Sequence, residues 1–289
     1  MGGERPLVAF TILGQAAVGL YLGAGVPLYL FHEGGAGRGA RLALVLAALG
    51  LMAGASALSF LHLHHPARAF RALANVGSSW LSREILFELA FIGALALDGF
   101  CEWRGLGGPA LAKALFALSG LAGMMFVGAM ARLYMLPAIP AWRSFYTPAS
   151  FALSAAVLGT SAAAVFFRMS PPASAWSRAL LGASVVSVAA SFGGALLFAP
   201  GHGLRGGRPG PSLRPRGAAC APLHALRLAS LAAGSALLAA GLSVRSAGGG
   251  GTGVPAVFIV GGFVLAAAGE VLGRILFYGV GPQQDTENK

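Results

Sequence analysis

Residues 7–31 read LVAFTILGQAAVGLYLGAGVPLYLF, a stretch without one charged side chain. A hydrocarbon core about 30 Å thick is spanned by a helix of roughly 17–25 apolar residues. This run is long enough to cross once. It exceeds the apolar region of a typical signal peptide and lacks a clear small-residue cleavage site, so it is expected to be an uncleaved first span. Working outward, seven further predominantly apolar runs of spanning length follow at 42–61, 81–101, 109–130, 148–167, 179–199, 223–244 and 254–278. The breaks between them are rich in Gly, Pro and Arg, as loops are. The expected fold is all-α: a polytopic membrane helix bundle of eight transmembrane helices, with residues 1–289 forming a single integral membrane domain.

Composition agrees. Of 289 residues, 56% are hydrophobic and 10% are charged, against about 25% charged in a soluble domain. This excludes a soluble enzyme, a disordered chain and a nucleic-acid-binding module. The net charge of +11 lies in short loops, which is how polytopic proteins carry it, so no nucleic-acid partner is expected.

An even span count puts both termini on one side, here called the terminal face, with the loops 62–80, 131–147 and 200–222. Most of the 20 arginines and lysines fall there, which by the positive-inside rule favours cytoplasmic termini. Small residues at helical spacing, Gly19 with Gly23 and Gly269 with Gly273, suit close helix packing. Cys101 and Cys220 fall on opposite sides, so no disulfide is expected, and two cysteines cannot supply the four thiolates that usually hold an iron–sulfur cluster. None of the six histidines lies mid-span. No haem and no metal site are expected.

Three stretches on the terminal face carry the chemistry. Residues 62–88, HLHHPARAFRALANVGSSWLSREILFE, begin where the second span leaves the membrane. Pro66 blocks helix continuation. Arg68 and Arg71 alternate with Phe70 and Leu73 as in a short helix lying along the interface, ended by Asn75 and Gly77. Trp80 suits headgroup depth. Glu84 and Glu88, four apart, share a face of the third span. Oxidation of a quinol releases two protons and two electrons. It needs a proton acceptor such as an imidazole or a buried carboxylate. His62 and Glu84 are the candidates, with Glu88 one turn deeper as a pairing or relay group. The plainer alternative is an interfacial histidine and a Glu84 paired with Arg83 or Arg68. His64 and His65 read as solvated loop residues.

Residues 131–151, ARLYMLPAIPAWRSFYTPASF, place Arg132, Tyr134, Trp142, Phe145 and Tyr146 at headgroup depth, with Pro137, Pro140 and Pro148 stiffening the loop. Residues 269–279, GEVLGRILFYG, carry Glu270 and Arg274 four apart, expected as a structural ion pair. Arginine and aromatic side chains anchor protein interfaces. Arg68, Arg71, Arg132, Tyr134 and Trp142 are therefore the candidate subunit-docking residues.

Together these stretches resemble the membrane-anchor subunit of the dimethyl sulfoxide reductase family. The matching residues are His62-Leu63, Pro66, Arg68-Ala69-Phe70, Ala72-Leu73, Asn75, Leu81-Ser82 and Glu84-Ile85. Arg132, Tyr134, Pro140, Trp142 and Thr147-Pro148 follow, then Gly269-Glu270, Gly273-Arg274 and Phe277-Tyr278-Gly279, all in the family's order. His64-His65 departs from the pattern. The resemblance implies a haem-free eight-helix anchor in the bacterial inner membrane. Such an anchor holds no catalytic cofactor and serves an anaerobic respiratory oxidoreductase complex as its quinol dehydrogenase. It would oxidise menaquinol and pass electrons to a ferredoxin-like iron–sulfur subunit and a molybdopterin catalytic subunit, the clusters and molybdopterin residing only in those partners. It implies quinol binding by His62 and Glu84, to which Arg68 and Glu88 are added by position. Catalytic subunits of the family are often exported, which would put the terminal face outside. Two other readings remain open. One is a small secondary transporter or exporter with Glu88, Asp98, Lys113 and Glu270 as its polar path; the other is a structural anchor without a quinol site.

Overall fold

The computed structural model describes residues 5–31, 35–62, 73–135, 142–169, 174–198, 217–243 and 256–279. Among these residues there is no strand. Eight long helices follow one another: α1 (Arg5–Gly25), α2 (Gly35–His62), α3 (Trp80–Arg104), α4 (Pro109–Tyr134), α5 (Tyr146–Met169), α6 (Ser174–Leu197), α7 (Gly217–Ser243) and α8 (Ala256–Gly279). The all-α, eight-helix expectation holds. α1 continues through a π-helical turn, Val26–Phe31, at Pro27, which cannot donate to an α-helical ladder.

Seven of the eight helices are long and apolar enough to cross a bilayer. The exception is α3, which carries Arg83, Glu84, Glu88, Asp98, Glu102 and Arg104. Charges in lipid need partners or a protein interior. Accordingly α3 turns Glu84, Asp98 and Glu102 into the bundle, where all three are buried. Its ends are well defined. The Ser79 side chain accepts from the Ser82 N–H, and the chain leaves through Gly105 at φ 66°, a left-handed position suited to glycine. The interfacial segment expected before α3 is described only from Leu73. There, Leu73–Asn75 forms one 3₁₀ turn, and the Ser78 and Ser79 N–H groups donate to Asn75 O.

The helices close into two rings of four. In one, α1 packs on α2, α2 on α3, α3 on α4 and α4 back on α1; in the other, α5 to α8 do the same. The rings share a seam where α1 meets α5. Gly19 and Gly159 lie face to face there, and a side chain on Gly19 would collide with the Ala155 carbonyl. Apolar side chains gain little by leaving lipid, so this close backbone approach supplies the contact. Val8 and Ile12 of α1 pack with Tyr278 of α8. The start of the first helix and the end of the last thus lie on the same side. Reporter fusions at positions 36 and 210 are expected to give opposite membrane orientations; the same orientation at both would refute an eight-crossing topology.

Candidate functional site

The inward face of α3 reads Glu84, Glu88, Phe91, Leu95, Asp98, Glu102, with steps of three and four. Phe91 and Leu95 are fully buried and split the acids into two groups. Toward the terminal face, Ser56 Oγ of α2 donates to Glu88 Oε1 at 2.5 Å. That bond fixes the register of α2 against α3. At 1.5 Å per residue, His62 lies about 9 Å and Glu84 about 6 Å beyond it toward the terminal face. The two expected proton acceptors therefore come to a similar depth on adjacent helices. The His62 side chain lies outside the described residues, as do Pro66, Arg68, Phe70, Arg71, His64, His65, His32, His202, Pro137 and Pro140.

Glu84 is 4% exposed. Its electrostatic neighbours are Glu88, Tyr134 and Tyr278. Among the described residues no hydrogen-bond donor reaches its carboxylate, so the alternative pairing with Arg83 is not made. The Arg83 guanidinium instead donates to the Val76 and Gly77 carbonyls and lies 4.4 Å from the Trp80 ring.

Tyr134 and Trp142, expected at the docking surface, turn inward. With Phe151, Phe277 and Tyr278 they form one aromatic cluster. The Tyr134 ring lies 5.2 Å from that of Tyr278 and 5.6 Å from Trp142. The Trp142 indole stacks on Phe277 and donates to the Phe277 carbonyl at 3.0 Å. An aromatic at a membrane edge cannot be assigned to a belt or to a core from sequence, because both use the same residues. Arg132 is exposed on the outward stripe of α4, 5.7 Å from the Trp80 ring.

Glu270 and Arg274 interact through a hydroxyl instead of the direct contact expected. Ser154 Oγ donates to Glu270 Oε2 at 2.5 Å and accepts from Arg274 Nη2 at 3.2 Å. Ser191 Oγ donates to Glu270 Oε1 at 2.5 Å, and Arg274 Nη2 donates to Gln15 Oε1 at 3.0 Å. The Arg274 guanidinium rests 3.7 Å from the Phe151 ring centroid, a contact that offsets desolvation. Gln15, Ser154 and Ser191 do not stand out in the sequence. Their only signal is a polar side chain inside an apolar run.

Near the opposite face, Asp98 Oδ2 accepts from the Tyr21 and Tyr29 hydroxyls at 2.7 and 2.6 Å. Arg41 Nε donates to Glu102 Oε1 at 2.7 Å. Glu88, Asp98 and Glu270 thus have three separate partner sets. Among the described residues, no hydrogen-bond partner is shared between them. Nor does any group of three His, Cys, Asp or Glu gather there to hold a metal.

A family model described as the DMSO reductase anchor subunit (DmsC) matches residues 1–280. The chain belongs to this family. Among curated proteins, the family member is similar to the YnfH subunit of an anaerobic dimethyl sulfoxide reductase of Escherichia coli (strain K12). The two are 31% identical over 169 residues, which is 57% of this protein and 58% of that one. It is 30% identical to the C subunit of the same organism's anaerobic dimethyl sulfoxide reductase over 152 residues, 52% of this protein and 53% of that one. With the corresponding C subunit of Haemophilus influenzae it shares 32% identity over 156 residues, 54% and 55% of the two proteins. These matches span 53–58% of the relatives' lengths. No solved structure matches. Membership of a DMSO reductase anchor family and seven apolar helices of spanning length make this a multi-pass membrane protein.

Proposed function

We propose that this DmsC-family chain anchors an oxidoreductase complex of the DMSO reductase type in the bacterial inner membrane and oxidises menaquinol at its terminal face. The observation that carries the reading is the buried Glu84 carboxylate. It lies at the terminal-face end of the bundle within electrostatic range of Tyr134 and Tyr278, at the depth where α2 delivers His62. A menaquinol held there loses two protons and two electrons to become menaquinone. The Glu84 carboxylate and the His62 imidazole each take a hydroxyl proton, and Glu88 offers the next acceptor one turn along α3. Tyr134 and Tyr278 wall the site and exclude water. The electrons pass to an iron–sulfur subunit seated on the terminal face and on to a molybdopterin subunit. Neither haem nor metal is required of this chain.

The test is one membrane preparation assayed with two donors. Glu84→Gln keeps the shape and removes the base. Menaquinol-dependent reduction should fall by about 10²-fold or more, while an artificial dye that reduces the catalytic subunit directly should work as before. Unchanged quinol activity would remove Glu84 from the site; equal loss with both donors would mean failed assembly.

Docking of the iron–sulfur subunit is assigned to the segment carrying Arg68 and Arg71, since Tyr134 and Trp142 are committed to the inner cluster and Arg132 to the outward stripe of α4. Arg68→Glu is expected to release that subunit from washed membranes while the anchor stays inserted. Full retention would move the docking surface elsewhere.

A further inference from the structure

An open groove of about 590 Å³ runs along the outside of the bundle where α1, α4 and α5 meet. Its floor is α1 at Gly19 and Gly23; its walls are Gly128 of α4 and Ala152 and Ala155 of α5. The small residues leave the space. They recur at helical spacing on facing helices, so the hollow is continuous. The volume lies within the range of small-molecule sites, about 300–1,000 Å³.

Its polarity is one-ended. Arg132 is the single charged residue of the lining, and it stands at the terminal-face end beside Met135 and Pro148. Among the described residues Arg132 has no carboxylate partner. Its contacts are the Trp80 ring at 5.7 Å and the Met135 sulfur at 3.7 Å. At the inner end, Thr160 donates its hydroxyl to the Ala156 carbonyl at 2.7 Å, which leaves an apolar surface. From Met124 to Met135 the α4 wall is about 17 Å long at 1.5 Å per residue. That is close to half of the roughly 30 Å hydrocarbon core.

We infer that this groove is a specific site for one phospholipid of the terminal-face leaflet, its phosphodiester on Arg132 and one acyl chain along the glycine and alanine lining. Arginine is the side chain suited to a phosphate at this depth. Its guanidinium presents forked donors, and its aliphatic stem lies along apolar surface while the head reaches the interface. The one-leaflet length and single cationic end fit the head and one of the two chains of a phospholipid, the other chain remaining in the bilayer. The inference does not depend on the quinol reading, because Glu84 and His62 are no part of this lining.

The experiment is native mass spectrometry of the full chain purified from its membrane in mild detergent, followed by titration with phosphatidylglycerol. The wild type is expected to keep one phospholipid mass. Arg132→Gln should lower the bound fraction about tenfold or more, as loss of a charge-assisted hydrogen bond does. Gly128→Leu should lower it similarly by filling the groove. A Cβ added at Gly128 meets no atom within 4 Å and points into open space, so this variant should fold. Gly93→Leu, also in open space but on α3, is the control and should bind as the wild type does. A retained quinone mass in place of phospholipid would overturn the assignment. So would equal phospholipid retention in wild type, Arg132→Gln and Gly128→Leu, or no retained phospholipid in the wild type.

Discussion

His62→Ala should lower menaquinol-dependent turnover by about 10²–10⁴-fold, the usual contribution of a positioned acid or base, and leave dye-driven activity intact. The reason lies in the register of α2 on α3. The Ser56–Glu88 bond at 2.5 Å sets the two helices so that His62 and Glu84 reach the terminal face at similar depth. In the proposed site both act on one quinol, so their losses should not add. The His62→Ala/Glu84→Gln double variant is expected to be no slower than the worse single variant, within about threefold, because residues acting as a unit are not independent. Measuring the three variants with both donors decides it. A double variant whose loss is the product of the two single losses would mean the residues act at separate steps.

Arg274→Met should destabilise the bundle by about 3–5 kcal/mol, because it leaves the buried Glu270 charge without its cation. Glu270 and Arg274 are 2% and 3% exposed, and Ser154 ties them together. Removing both charges should cost much less, since a buried pair replaced by neutral groups of similar size is often close to neutral. Glu270→Gln/Arg274→Met is therefore expected to unfold nearer the wild-type temperature than Arg274→Met alone. Thermal unfolding of the three proteins in one detergent checks this. A double variant no more stable than the single one would show that the arginine acts by packing on Phe151 instead of by charge.

The residues of the proposed quinol site are legible in the sequence. Glu84 is an acid at the start of an apolar run, and His62 closes the preceding one. Charge is so costly in lipid that such residues mark themselves. Most of the eight-helix architecture is legible for the same reason: seven helices are long and apolar enough to cross, and length and composition mark such segments.

Partnership is not legible. Apolar runs look alike whichever neighbour they meet, so nothing in the composition of α1 or α5 announces that they form the seam between two four-helix rings. The glycine spacing says that helices pack closely, but not which ones. Tyr134 and Trp142 read as surface aromatics until the fold brings Phe277 and Tyr278, more than a hundred residues away, against them. Ser154 and Ser191 read as ordinary small residues until they meet Glu270. The groove beside Arg132 exists only because small residues of three helices line up. The sequence alone determined what had to be buried in lipid and where charge enters, because the membrane imposes that on each segment separately. Which polar groups satisfy one another was decided by the tertiary structure, because hydrogen bonds and close packing act only between segments that the fold has already brought together.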